Sequence, residues 1–556
     1  MRDRRTWSAL VKVADVVGRT LAALGVRQVF GVVGSGNFHV TNALIAGGAG
    51  FVAARHEHGA TVMADAFARA TGEVCVVSLH QGCGLTNAMT GLVEAAKSRT
   101  PVLVVTGDTP PTQTTSNFWI EQAAAVTALG ATSERVHGAG TAVADTARAY
   151  SRALLERRTV VLNLPLDVQQ EDVEGDGGAV PTVPQRIRPA ASPESVGRLA
   201  DLLASAERPV LVGGRGALAA RREIEQLAED CGALLTTSAV GRGLFAGNPW
   251  YLDVMGGFAT PVAGQLISDA DVVVAFGASL NRWTTRDGAL VRGKTVVQVD
   301  LELEAIGRHC PADVGVVGDS ALTAAAVDAE LRRRGHPGAG YRTAEVHERI
   351  DGGRRWQDEP FDDTSDGQRI DPRALTIALD RLLPRERVVV PDGGNFNGYP
   401  AMFLDVPDAR GYCLPLAFQS IGMALAAAIG CAVATPDRTV VAGIGDGGFM
   451  MSLAELDTAV RLALPLVVLV YDDAAYGAEV HHFAPEGAVL DTVVFPDTDL
   501  AAIARGFGCD AVTVRTLEDL EKVRTWVDGP RRAPLVVDAK ITSFPSWVLA
   551  HAFTGG

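Results

Sequence analysis

Short apolar runs that end directly in glycine recur along the whole 556-residue chain: VRQVFGVVG at 26–34, VCVVSLHQGCG at 74–84, RPVLVGGRG at 208–216, DVVVAFG at 271–277 and RTVVAGIGDGG at 438–448. Each apolar run is strand-sized and too short for a helix. Between them lie Ala-rich stretches with apolar residues at helical spacing, such as FVAARHEHGATVMADAFARATG at 51–72. That alternation is the βα rhythm of parallel sheets, and glycine falls where a strand turns into a helix. The 60 glycines have no period, which excludes collagen-like and low-complexity chains. Two segments rich in Gly, Pro and charge, 171–196 and 335–371, break the rhythm and read as linkers. The expected fold is α/β, with three doubly wound parallel-sheet domains at 8–172, 195–335 and 369–550. Such sheets bind ligands at the carboxyl ends of their strands.

Composition narrows the function. Lys and Arg number 50 against 65 Asp and Glu, a formal charge of −15, which argues against a nucleic-acid-coating protein. The seven cysteines are widely spaced with no CxxC, so neither a disulfide framework nor a zinc site is indicated. No apolar run reaches membrane-spanning length, and the first residues lack the apolar stretch of a signal peptide. The expectation is a soluble cytoplasmic protein, with no membrane partner.

The strongest constellation lies in the last third. Gly445-Asp446-Gly447-Gly448 is followed by a helix, a strand LVVLVY and Asp472-Asp473-Ala474-Ala475-Tyr476-Gly477. Asp446 and Asp473 stand 27 positions apart, one βαβ unit, so both fall at the same edge of neighbouring strands. Paired carboxylates there suit a hard divalent cation such as Mg²⁺. The adjacent glycines let backbone amides approach a phosphate. The plainer reading is that Asp446 caps the following helix.

On these residues the chain resembles the thiamine-diphosphate-dependent enzymes of the acetolactate synthase, pyruvate decarboxylase and benzoylformate decarboxylase group. Their motif is GDG followed, at this spacing, by Asn-Asn; this chain has Asp-Asp at 472–473. The resemblance covers nearly the whole chain. It implies a pyrimidine-binding domain, a central Rossmann-like domain and a diphosphate-binding domain, with Mg²⁺ on Asp446, Asp473 and the carbonyl of Ala475. Gly445, Gly447, Gly448 and Tyr476 would adjoin the cofactor. Arg55-His56-Glu57-His58-Gly59-Ala60 matches the family's glutamate motif. The resemblance makes Glu57 the carboxylate that shares a proton with the aminopyrimidine and so promotes removal of the thiazolium C2 proton. Otherwise Glu57 is an ordinary acid at a helix N-terminus. Ile421 is the candidate hydrophobic prop under the cofactor, or else a core isoleucine. Asn395, in Asp392-Gly393-Gly394-Asn395, matches the loop that meets the diphosphate, or else is part of a plain turn. Gly34, Ser35 and Asn87 complete the cofactor set.

Two further residues bear on the reaction. His80 lies 23 positions after Glu57, where benzoylformate decarboxylases carry a catalytic histidine. Glu479 matches an active-site glutamate of pyruvate decarboxylases. The plainer readings are a loop histidine bonded to backbone and a surface acid on a helix. Cys83, in the same glycine loop as His80, reads as a small buried thiol that fills space. The chain departs from specific members at Ile120, where acetolactate synthases carry glutamine, and at Thr284, where the second benzoylformate decarboxylase histidine would fall. Met255-Gly256-Gly257 replaces the M-H-G of flavin-containing members, so FAD is not expected. The implied activity is decarboxylation of a 2-oxo acid, with release or carboligation of the aldehyde fragment. A true acetolactate synthase condensing two pyruvates and a non-catalytic relative are the alternatives. A nicotinamide dehydrogenase would need a third glycine after Gly214 and Gly216 that the chain lacks. The resemblance also implies a homodimer or homotetramer, with Glu57 and Asp446 of one site supplied by different chains.

Overall fold

The computed structural model describes residues 11–174, 178–336 and 340–551. Residues 8–10 of the expected first domain, and parts of both expected linkers, lie outside these. Three parallel sheets organise the described chain. In the first, the strands lie in the order Gly50–Ala53, Gln28–Gly31, Cys75–Leu79, Val102–Asp108, Val160–Pro165, Thr132–Arg135. In the second the order is Tyr251–Val254, Leu234–Thr237, Pro209–Gly213, Val272–Phe276, Thr295–Asp300, Val314–Val317. In the third it is Arg387–Pro391, Thr439–Gly445, Leu466–Asp472, Leu535–Lys540, Asp510–Val514. A bridge pairs Tyr412 in parallel with Val389 on the outer edge of this sheet. With Tyr412 counted as a strand, the third sheet has the chain order 2-1-3-4-6-5 of the first. The central sheet has the order 3-2-1-4-5-6 found in dinucleotide-binding folds.

The central strands read as continuous Val, Ile and Leu because helices cover both faces, and their residues are fully buried. The sequence offers three strand candidates for the central piece, and the sheet has six strands. Leu234–Thr237 and Val314–Val317 are only four residues long, too short to stand out as apolar runs. The expected linker at 335–371 carries more structure than anticipated. Helix Ala344–Gly353 packs Val346 and Ile350 into the central core, while Trp356 is buried in the core of the third domain. A two-residue antiparallel ladder joins Val11–Lys12 to Asp172–Val173 and ties the start of the first domain to its end.

The first and third domains share one core. Helix Glu57–Thr71 lies against helix Ala424–Ala434, and Met63, Phe67, Leu425 and Ile429 belong to one buried cluster. The helices approach so closely that a Cβ at Gly430 would strike the Met63 carbonyl. Among the described residues, no helix is long and apolar enough to cross a membrane.

Candidate active site

The candidate residues gather at two places, each at the point where strand order reverses in its sheet. In the first domain these are the carboxyl ends of Gln28–Gly31 and Cys75–Leu79. The loop after the first strand is fixed by Asn37, fully buried, whose Oδ1 accepts the Gly34 N–H at 2.8 Å and whose Nδ2 donates to the Ser78 hydroxyl at 2.9 Å. His80 follows the second strand. Its Nδ1 is 3.0 Å from the Gln81 carbonyl, an acceptor, so the ring proton sits on Nδ1. Nε2 lies 3.4 Å from Ser35 Oγ. The ring lies close over Gly34, where a Cβ would stand 2.5 Å from Cδ2, and its other side meets Phe118 at a centroid distance of 5.0 Å. A side chain at position 34 would have to push this imidazole aside.

Glu57 is the first residue of helix Glu57–Thr71, set beyond its strand rather than at the strand end. It is half-buried, and its Oε2 accepts from Asn87 Nδ2 at 3.0 Å. Gly84 lies between them and His80, its Cβ position 3.6 Å from Glu57 Oε1 and 3.2 Å from His80 Cβ. Gly34, Ser35, Glu57, His80 and Asn87 therefore form one cluster. Cys83 corrects its expectation: the thiol is exposed, because the short helix Cys83–Asn87 turns Gly84 and Leu85 inward instead. Gln122, buried and missed by the sequence reading, accepts the Gly82 N–H at 2.7 Å and donates to the Gly107 carbonyl and Asn163. It is the residue after the Ile120-Glu121 pair, and it pins the loop that carries His80.

The second cluster lies at the ends of Arg387–Pro391, Thr439–Gly445 and Leu466–Asp472. Gly445 pairs with Tyr471 across the last two strands, so Asp446 and Asp473 emerge side by side. Asp446 opens helix Asp446–Ser452 with Gly445 as its cap. Burial, then Asp473 and Asp472, push the Asp446 carboxyl up to about 8. Burial, then Asp472, push Asp473 up to about 6. Neither acid forms an ion pair with a Lys, Arg or His among the described residues. By contrast Asp472, next in chain, is held by the buried Lys540 ammonium at 2.5 Å. Two neighbouring carboxylates, Asp446 buried and Asp473 half-buried, neither in an ion pair among the described residues, fit a divalent cation, which would remove their mutual repulsion. Among the described residues no group of three His, Cys, Asp or Glu side chains is arranged to hold a metal, so backbone oxygen must complete any such set. Ala475 lies two residues after Asp473, at a bend where Asp472 Oδ1 accepts the Ala474 N–H at 3.0 Å. The Tyr476 ring rests on Gly447, where a Cβ would be 2.5 Å from the ring, and packs edge-on against Phe495.

Asp392 knits this cluster together. Fully buried and pushed up to about 6 by that burial, its carboxylate accepts the N–H groups of Gly393 at 2.9 Å and Gly422 at 2.7 Å. It also sits 2.9 Å from the Cβ position of Gly448. Ile421 is held beside Gly393 in consequence, its Cγ2 3.2 Å from that glycine's Cβ position. Asn395 is committed elsewhere: its Nδ2 donates to the Phe544 carbonyl and its Oδ1 accepts the Ser546 N–H, both at 2.9 Å. Glu479, on helix Gly477–Phe483, is exposed, and its carboxylate has no hydrogen bond or ion pair among the described residues. His481 Nε2 is 3.2 Å from the Ser543 hydroxyl.

A separate pocket opens at the strand-order reversal of the central sheet, between Gly216, Gly277 and Asp300 on one side and Arg99 and Arg157 of the first domain on the other. Arg157 and Arg215 are half-buried there and make no hydrogen bond or ion pair among the described residues. Burial, then Arg69, bring Arg215 down to about 10. The pocket suits an anionic group, and a dinucleotide in such a sheet would occupy this place.

Three family models match the chain: "Thiamine pyrophosphate enzyme, N-terminal TPP binding domain" at residues 11–130, its central domain at 196–327 and its C-terminal TPP binding domain at 392–539. Sulfoacetaldehyde acetyltransferase of Castellaniella defragrans is 28% identical over 90% of this chain and 88% of its own length. The acetolactate synthase large subunit of Parasynechococcus marenigrum is 30% identical over 90% of this chain and 82% of its own. A Pseudomonas aeruginosa protein named probable 2-ketoarginine decarboxylase is 29% identical over 94% and 92%. An X-ray structure of a protein from Mycobacterium smegmatis, described as thiamin diphosphate-dependent, shares the fold with a TM-score of 0.78 at 23% identity, covering 96% of this chain and 100% of that one. The chain belongs to the thiamine pyrophosphate enzyme family.

Proposed function

We propose that the protein decarboxylates a 2-oxo acid with thiamine diphosphate and Mg²⁺, and releases the aldehyde fragment or ligates it to a second carbonyl. The observation that carries this reading is the pair Asp446, buried, and Asp473, half-buried, neither in an ion pair among the described residues, at adjacent strand ends beside Gly447 and Gly448. In this reading Asp446, Asp473 and the Ala475 carbonyl hold the metal. The backbone at Gly445–Gly448 and Gly393–Asn395 meets the diphosphate, and Ile421 supports the cofactor from below. When bound, the cofactor supplies the nucleophilic carbon and the electron sink for loss of carbon dioxide. Glu57 holds a proton at the pyrimidine ring nitrogen, with Asn87 fixing its carboxylate. His80, its Nδ1 proton committed to the Gln81 carbonyl, takes or gives a proton at Nε2. Glu479 would join them only if a second chain covers it.

A second chain is part of the proposal. None of the hydrogen bonds among the described residues joins the Glu57 cluster to the Asp446 cluster. Large apolar side chains are exposed beside both: Val33, Phe38 and Phe118 near the first, Met450 and Met451 on the helix after Asp446. Pairing the clusters of two copies would cover these surfaces, in a homodimer or a homotetramer. The three domains are taken as 8–172, 195–335 and 369–550, and the enzyme as cytoplasmic. A flavin is not part of this reading; visible absorbance of the purified protein tests that. Incubation with pyruvate separates the leading reading from its rival: acetaldehyde marks the decarboxylase, acetolactate the synthase that condenses two pyruvates. Binding of thiamine diphosphate without turnover on any 2-oxo acid would favour a non-catalytic relative.

A further inference from the structure

The first and third domains share a strand order, and the similarity extends to the helices and loops after each strand. In each domain a helix comes after the second strand: Glu57–Thr71 in the first, Ala424–Ala434 in the third. These two pack on each other. In each domain the glycine loop after the third strand leads into a pair of short helices, Cys83–Asn87 with Met89–Lys97 in one, Asp446–Ser452 with Glu455–Arg461 in the other. The second helix of each pair carries one buried glutamate, Glu94 or Glu455, exposed by 0% and 3%.

Both glutamates cross to the other domain. Glu455 Oε1 accepts the N–H groups of Arg55 at 3.1 Å and His56 at 3.0 Å, the residues directly before Glu57. Its Oε2 accepts from the Thr458 hydroxyl at 2.7 Å and, at a longer 3.4 Å, from the Arg55 N–H. Glu94 Oε1 accepts the Ala417 N–H at 3.0 Å, and Oε2 the Phe418 N–H at 2.7 Å, in the loop that carries Ile421. Arg69, on the Glu57 helix, balances that charge at 2.6 Å and donates to the Leu414 carbonyl at 2.8 Å. Carboxylate bonds to paired backbone amides are strong and directional, and a buried amide left without one is costly.

We propose that Glu94 and Glu455 form a reciprocal clasp: each is a positioning residue that fixes the cofactor-facing segment of the other domain. Glu455 aims Glu57, and Glu94 sets the Ile421 loop. This rests on the proposed cofactor chemistry for what the two segments do, while the clasp itself is read from the bonds.

The test uses Glu455→Ala, Glu455→Gln, Glu94→Ala and Glu94→Gln in the full-length protein. Amide hydrogen exchange is followed at 55–58 and 416–421, alongside kcat and titration of thiamine diphosphate in the presence of Mg²⁺. Glu455→Ala speeds exchange at 55–58 tenfold or more, spares 416–421, and lowers kcat at least tenfold with cofactor affinity little changed. Glu455→Gln restores both, because Oε1 takes both amides at the shorter distances and the glutamine carbonyl replaces it, while the glutamine amide can donate to the Thr458 hydroxyl. Both Glu94 variants speed exchange at 416–421 and weaken cofactor binding tenfold or more. Glutamine does not rescue there, because each oxygen of Glu94 takes a different backbone amide and the glutamine amide group cannot accept one of them. Should Glu455→Ala fail to fold, the contrast between Glu455→Gln and Glu94→Gln decides. The clasp is overturned if the opposed segment keeps its exchange rate, or if both segments loosen together in every variant. If the parent does not bind thiamine diphosphate, the functional reading falls while the exchange data still judge the clasp.

Discussion

Replacing Glu57 by glutamine separates chemistry from structure. The side chain keeps its length, and the glutamine carbonyl still accepts from Asn87 Nδ2, which now donates to Glu57 Oε2 at 3.0 Å. What disappears is the acid–base function and the charge at the start of helix Glu57–Thr71. Loss of a positioned proton carrier lowers turnover by about a hundred- to ten-thousand-fold. At 1.36 kcal/mol per tenfold, that is about 3–5 kcal/mol on the barrier. Loss of the charge–dipole interaction at the helix N-terminus costs only about 0.3–1 kcal/mol of stability. In a chain of this size the melting temperature should fall by less than about 4 °C. Steady-state turnover on the preferred 2-oxo acid and a melting curve measure both quantities. Retention of more than a tenth of parental turnover would refute the role given to Glu57. So would a large fall in melting temperature with a matching loss of activity, since unfolding would then explain it.

Three other outcomes are expected. Asp473→Ala raises the Mg²⁺ concentration needed to retain thiamine diphosphate by tenfold or more in a dialysis assay, and equal Mg²⁺ dependence in variant and parent counts against the metal assignment. Gly34→Ala puts a Cβ 2.5 Å from His80 Cδ2 and must displace the ring; turnover falls on the order of ten- to a hundred-fold while the melting temperature holds, and unchanged turnover would remove His80 from the reaction. Asp408 is held below the ordinary carboxylate range, first by its hydrogen bond from Arg438. Its stabilising effect is therefore complete above the unfolded value of about 3.9 and is lost as pH falls through the lower folded value. The stability gap between parent and Arg438→Met, measured by denaturant titration, should be full at about pH 6 and shrink in acid; a gap independent of pH contradicts the pairing.

The sheets and the acid pair are legible in the sequence because local rules govern both. Val-rich runs ending in glycine announce buried parallel strands, and a spacing of one βαβ unit puts Asp446 and Asp473 on one edge. Glu57 stands in a contiguous motif. The supporting residues are not legible, since their partners lie in other domains, from 58 to 399 positions away. Glu94 meets Ala417, Glu455 meets His56, and Arg157 faces the pocket beside Arg215 of another domain. Nothing in local periodicity encodes such pairings. The expectation for Cys83 fails for a related reason. A glycine-rich loop suggests buried small residues, but the five-residue helix Cys83–Asn87 presents its first side chain to solvent. The structure also leaves Glu479 on an exposed helix face, so the role proposed for it requires a second chain.

The most direct test of the central claim is carbon dioxide release by protein stripped of metal and cofactor, then reconstituted, across a panel of 2-oxo acids of differing size and charge. The account predicts release from at least one of them only when thiamine diphosphate and Mg²⁺ are both restored, and loss of that release in Glu57→Gln. Release that needs neither addition, or none from any 2-oxo acid by protein with the cofactor demonstrably bound, would contradict it.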